Sequence, residues 1–101
     1  MKLLSYLFGY KKKKIEDFKS RGAIIIDVRT PKEFAQGTIK NSTNIPLQHL
    51  NSKIDELRKL NKPVITCCAS GIRSGSASLI LRSNGIEVLN GGSWQSLCKK
   101  L

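Results

Sequence analysis

Val64-Ile65-Thr66-Cys67-Cys68-Ala69-Ser70-Gly71-Ile72-Arg73-Ser74 is the stretch whose reading decides the fold. A short apolar run breaks into a loop of small residues and then into a segment able to form a helix, so Cys68 falls where a strand ends. Gly71, after the small Ala69 and Ser70, allows the backbone to curl until successive N–H groups point at one sulfur atom. The following helix adds its N-terminal dipole and Arg73 a fixed positive charge, and all three favour a thiolate on Cys68. A thiolate held in such a nest also marks a receptor for anionic oxygens.

Toward the N-terminus, Ala23-Ile24-Ile25-Ile26-Asp27-Val28 is a second β-branched run of the kind buried on both faces of a parallel sheet. Thr30, Pro31, Lys32 and Glu33 have the form of a capping box with Pro at the first helical position, so a helix begins at once and stops at Gly37. Ile15, Phe18 and the Lys19–Gly22 ending predict a short helix closed by glycine. Pro46 marks 41–47 as an edge or turn. Ile54, Leu57 and Leu60 predict an amphipathic helix from about residue 51 to Asn61. Toward the C-terminus, 74–82 reads as a helix with a small-residue face and Ile86–Leu89 as a strand. Asn90-Gly91-Gly92 reads as a turn, and Ser93 caps a last helix with Trp94 and Leu97 inward, Cys98 packed, and Lys99 and Lys100 outward. Strands alternating with helices predict an α/β domain with a mainly parallel central sheet flanked by helices. Ligands of such sheets bind beyond the carboxyl ends of the strands, where Asp27, Arg29 and Cys68 lie.

The chain has 101 residues, room for one domain with one core. Eighteen Lys and Arg against seven Asp and Glu give a charge of +11, which draws anions of any size. Basic residues spread along the chain, with few aromatics among them, do not form a nucleic-acid face. Three cysteines, two of them adjacent, argue against a disulfide framework and for a reducing, cytoplasmic setting. Cys67, Cys68, Cys98 and the lone His49 lack the paired spacings of a metal site. Residues 1–14 form a unit of their own: an apolar part (Leu3, Leu4, Tyr6, Leu7, Phe8), about half as long as a membrane span, followed by Lys11–Lys14. It reads either as a segment packed on the domain of residues 15–101 or as an interfacial anchor making peripheral membrane contact.

The sequence resembles the rhodanese-like domains. The stretch Val64–Ser74 matches their active-site pattern Cys-x-x-Gly-x-Arg-Ser, counted from Cys68. Ile25–Pro31 with Glu33-Phe34 matches the opening motif, Gly37-Thr38-Ile39 with Asn44-Ile45-Pro46 the next, and Asn90-Gly91-Gly92 with Trp94 the last, so the resemblance covers roughly residues 15–98. It implies a three-layer fold and sulfurtransfer without a cofactor. Cys68 would take sulfur from a small anionic donor such as thiosulfate or a polysulfide, hold it as a persulfide, and pass it to cyanide, a thiol or a protein acceptor. The loop Ala69, Ser70, Gly71, Ile72, Arg73 and Ser74 would cradle it, and a monomer is expected.

Asp27, Arg29, Glu33 and Trp94 are expected behind the loop, with Asp27, Arg29 and Trp94 forming part of its walls and Glu33 in reach of Arg73. Two departures bear on the chemistry. Thr38 stands where many members carry His, and Ala69 stands where several thiosulfate-using members carry a basic residue. Cys67 reads either as the last inward residue of its strand or as a resolving thiol. Counted from Cys67, the loop would instead be the Cys-x5-Arg of phosphatases and arsenate reductases. A third reading is an interaction module without activity.

Overall fold

In the computed structural model, which describes residues 2–101 except for the side chains of Lys2, Leu4, Ser5 and Phe8, Val64–Cys68 is a strand (β3) buried along its whole length. Its side chains alternate: Val64 and Cys68 enter one apolar cluster, Ile65 and Cys67 the other. That alternation makes the molecule three-layered. Ile24–Asp27 (β1) pairs with β3 on one side and with the two-residue edge strand Thr43–Asn44 (β2) on the other, and Val88–Ser93 (β4) closes the order β2-β1-β3-β4, every pair parallel.

One face of the sheet is covered by Ile54–Leu60 (α3), Ile72–Ser83 (α4) and the 3-10 stretch Leu47–Lys53 that leads into α3. These contribute Leu50, Ile54, Leu57, Ala77 and Leu81 to the core with Ile26, Val28 and Val64. The sheet's other face carries Lys2–Ser20 (α1) and Trp94–Lys100 (α5), packed through Ile15, Phe18 and Leu97 on Ile65 and Cys67. Pro31–Ala35 (α2) is held by the expected capping box, with Glu33 N–H donating to Thr30 Oγ1 and Thr30 N–H to Glu33 Oε1.

Five sequence-based expectations are corrected. Residues 2–20 form one continuous helix rather than a separate apolar segment and a short helix, so the boundary drawn after residue 14 falls inside α1. Nothing between Tyr10 and Ile15 breaks it, since a lysine run favours helix. Leu3, Tyr6, Leu7 and Tyr10 are exposed on it and not packed on the domain, while Leu4 and Phe8 lie outside the described side chains. Asn90-Gly91-Gly92 belongs to β4 and not to a turn. The pairing slips from Thr66↔Asn90 to Cys68↔Ser93, an extra residue on β4 that makes a bulge. A Cβ on Gly91 would lie 2.8 Å from Thr66 O and 2.9 Å from Leu97 Cδ2, so glycine serves close approach. Lys100 is buried, its ammonium donating to Ser96 Oγ over 2.6 Å, and Cys98 is exposed. No described helix is long and apolar enough to cross a membrane.

Candidate active site

β3 ends at Cys68, and the chain turns through Ala69, Ser70 and Gly71 into α4. Gly71 takes φ +104°, a left-handed conformation that L side chains rarely adopt, and its N–H donates to Cys68 Sγ over 2.9 Å. Ser74 N–H reaches the same sulfur at 3.4 Å, and Ser74 Oγ lies 3.4 Å away as partner of the thiol. Ile72, Arg73 and Ser74 open α4, so their N–H groups have no carbonyl one turn back. Burial pushes the Cys68 thiol up, but the hydrogen bond with the Ser74 hydroxyl and those from the backbone of Ser74, Gly71 and Ser70 outweigh it and hold the thiol below its ordinary range.

The loop is braced from behind. Asn90 Oδ1 accepts from Ser74 Oγ at 2.7 Å and from Gly92 N–H at 2.9 Å, and Asn90 Nδ2 donates to Gly71 O at 3.3 Å. Thr66 Oγ1 donates to Ser74 O over 3.1 Å beneath it. Asn90 was not singled out from sequence as a site residue. Its signal was there, in an Asn before Gly-Gly at the end of a strand, but a glycine pair there reads first as a turn.

Arg73 and Glu33 form a two-pronged ion pair, Nη1 to Oε1 at 2.7 Å and Nη2 to Oε2 at 3.0 Å, although forty positions separate them. The guanidinium of Arg73, with the Thr30 hydrogen bonds, holds the Glu33 carboxyl down at about 2. A depression of about 300 Å³ opens beside Arg73, lined by Val28, Thr30, Pro46, Leu47 and Gln48.

Asp27, Arg29 and Trp94 lie together on the other face of the sheet and do not line the sulfur, which corrects the expected walls. Asp27 is opposite Cys67 in register, so its side chain shares the Cys67 face. The buried Arg29 guanidinium donates to Asp27 Oδ2 at 2.7 Å and to Gly37 O at 2.6 Å, and it stacks 4.9 Å from the Trp94 ring. It also reaches Glu33 O at 3.4 Å, so this pair fixes the segment that presents Glu33 to Arg73. Thr38 Oγ1 approaches Asp27 Oδ2 at 3.4 Å and Ser42 Oγ at 2.9 Å, closing the same cluster. His49 is exposed on the surface, with its Nε2 3.3 Å from Gln48 Nε2.

Cys67, the alternative nucleophile, is fully buried among Ile15, Phe18, Ile39, Ile65 and Leu97. Burial first, then the Asp27 carboxylate, pushes its thiol up to about 12. Its sulfur and the curled loop lie on opposite faces of β3, so a loop counted from Cys67 has no nucleophile pointing into it.

A cysteine cradled by a short N–H-lined loop at the carboxyl edge of a parallel three-layer sheet is the arrangement of the rhodanese fold. The family model for the rhodanese-like domain matches residues 10–96, and the chain belongs to that family. It is 44% identical over 78 residues to an uncharacterized protein of Bacillus subtilis, an alignment covering 74% of this chain and 61% of that one. It is 32% identical over 80 residues to a thiosulfate sulfurtransferase of Ectopseudomonas mendocina, covering 76% and 72%. Among solved structures, a rhodanese-like domain protein from Staphylococcus aureus superposes with a TM-score of 0.70 at 28% identity, over 83% of this chain and 86% of that one. The aligned stretch thus spans about six-tenths of the Bacillus protein's length.

Proposed function

We propose that this chain is a sulfurtransferase that carries sulfane sulfur as a persulfide on Cys68. The observation that carries the reading is the Gly71 N–H on Cys68 Sγ at 2.9 Å, with the Ser74 N–H at 3.4 Å on the same atom. Those donors stabilise a thiolate without a general base, and the free N–H groups at the start of α4 are placed to receive the anionic donor. The sulfurtransferase relative supports the same activity by similarity.

In the first half-reaction the Cys68 thiolate attacks the outer sulfur of thiosulfate or of a polysulfide. The new S–S bond forms as the donor's own S–S bond breaks, and the electron pair leaves on sulfite or on the shortened thiolate. The persulfide's outer sulfur is then met by loop N–H groups. In the second half-reaction cyanide or an acceptor thiolate attacks that sulfur, the Cys68 S–S bond breaks, and its electron pair returns to Cys68. Arg73, tied to Glu33, braces the loop and adds positive charge at its rim. With Ala69 in place of a basic residue, the loop adds no second cation there, and we infer a preference for persulfide or polysulfide donors over thiosulfate.

Steady-state turnover tests the reading. With thiosulfate or polysulfide and cyanide, thiocyanate forms in a ping-pong pattern, and Cys68→Ser abolishes it. Hydrolysis of a phosphate ester in place of sulfur transfer overturns the assignment.

A further inference from the structure

The N-terminal half of α1 projects from the end of the molecule that carries the Cys68 loop. Parallel strands place Asp27, Cys68 and Ser93 at one edge of the sheet. The tight link from Ser20 through Gly22 to β1 makes α1 run back along the strands, so its N-terminus lies at that same edge. Lys11 marks the level: a Cβ on Gly92 would stand 3.5 Å from Lys11 Nζ, and one on Gly71 would stand 3.4 Å from Gly92 Cα. The nine residues from 2 to 10 therefore extend about 13 Å beyond it. The rhodanese-like match begins at residue 10, so residues 2–9 of this extension lie outside the part matched to the family.

Its described side chains have an interfacial pattern. Leu3, Tyr6, Leu7 and Tyr10 are 50–68% exposed, and at helical spacing they fall within one arc of about 100°. The Tyr6 and Tyr10 rings stack 6.5 Å apart. Lys13 and Lys14 continue the same side one turn later, with Lys14 Nζ 5.2 Å over the Tyr10 ring. The first acidic residue of the chain is Glu16, so five lysines, at positions 2 and 11–14, precede any carboxylate in the sequence. An apolar stripe, tyrosines able to bridge oil and water, and a block of four consecutive lysines match the layering of an anionic lipid surface.

We propose that residues 2–14 form an interfacial docking helix that seats this chain on an anionic bilayer. The charge complementarity selects lipid over an uncharged apolar partner: a neutral surface would leave the lysine block without a counterpart. Docking would hold the domain, and Cys68 with it, close to the membrane surface. The binding itself does not depend on the sulfurtransferase reading.

The test is co-sedimentation of the full chain with vesicles of phosphatidylcholine alone and with about one-third phosphatidylglycerol. The chain is expected to pellet with the anionic vesicles at low salt, and to release as salt rises toward about 0.5 M. Lys13→Gln with Lys14→Gln lowers the partition coefficient about tenfold or more, and Leu3→Asp with Leu7→Asp lowers it at least as far. Circular dichroism and sulfur transfer stay unchanged in both. Equal partitioning into neutral vesicles, indifference to these substitutions, or absence of pelleting overturns the proposal. So does self-association in solution that the Leu3 and Leu7 changes abolish, which assigns the stripe to a second copy.

Discussion

Cys67 and Cys68 are neighbours in the chain, and their thiols open onto opposite faces of the sheet, one into an apolar core and one into a ring of N–H groups. The period of two along β3 imposes that separation, and opposite shifts of the two thiols follow from it.

In a Cys98→Ser background, alkylation by iodoacetamide at neutral pH is therefore expected at Cys68 alone, with a rate profile whose midpoint lies below that of an ordinary thiol. Cys67 is expected to react only after unfolding. The measurement is peptide mapping after timed alkylation across pH 5 to about 10. Linkage adds a stability arm. Cys67 holds its proton more firmly folded than unfolded, so its contribution is intact below the ordinary thiol value near 8.5 and declines as pH rises toward about 12. Urea unfolding of the native chain should lose up to ~1.4 kcal/mol per pH unit in that window relative to Cys67→Ala.

Glu33→Gln removes the ionic half of the brace on Arg73 while keeping the cap geometry. Because both side chains are about one-third exposed, the thermal midpoint is expected to change little. The cost falls on loop geometry, with kcat/KM for sulfur transfer lower by about tenfold. The sign with pH follows from the depressed carboxyl: the Glu33 contribution is complete above the ordinary carboxylate range and fades as pH falls from about 4.3 toward 2. Activity above pH 5 should owe none of its pH dependence to Glu33.

Asp27→Ala strands the buried Arg29 guanidinium, which is 5% exposed and is ion-paired with that carboxylate at 2.7 Å. The expected loss is ~3–5 kcal/mol in urea unfolding. Asp27→Asn, which keeps the shape and one acceptor, is expected to lose less. If Asp27 acts on the site only through Arg29 and the Glu33 segment, the residual activity of folded Asp27→Asn should show a lower kcat with the same alkylation midpoint at Cys68.

Much of this was readable in the sequence because it was local. The β-branched runs, the capping box at Thr30 and Glu33, and Gly71 at the turn into α4 each declare themselves within a few residues. Longer-range packing was less legible. The glycines at 91 and 92 look like a turn, but Gly91 is needed where β4 presses against Thr66 and Leu97. Lys100 looks like a solvated end, yet its stem is covered and its ammonium is taken by Ser96. Asp27 and Arg29 stand at a strand end beside Cys68 in sequence logic, and the alternation of side chains sends Asp27 to the other face. Their reach to the site runs through Glu33, a connection that exists only once the chain has folded.

The most direct test of the account is intact-protein and peptide mass spectrometry after brief exposure of the chain to thiosulfate or polysulfide. The account predicts a gain of one sulfur atom, located on Cys68, retained in Cys67→Ser, absent in Cys68→Ala, and discharged by cyanide. Sulfur found on Cys67, or no sulfur gained under conditions where the chain is folded, would contradict it.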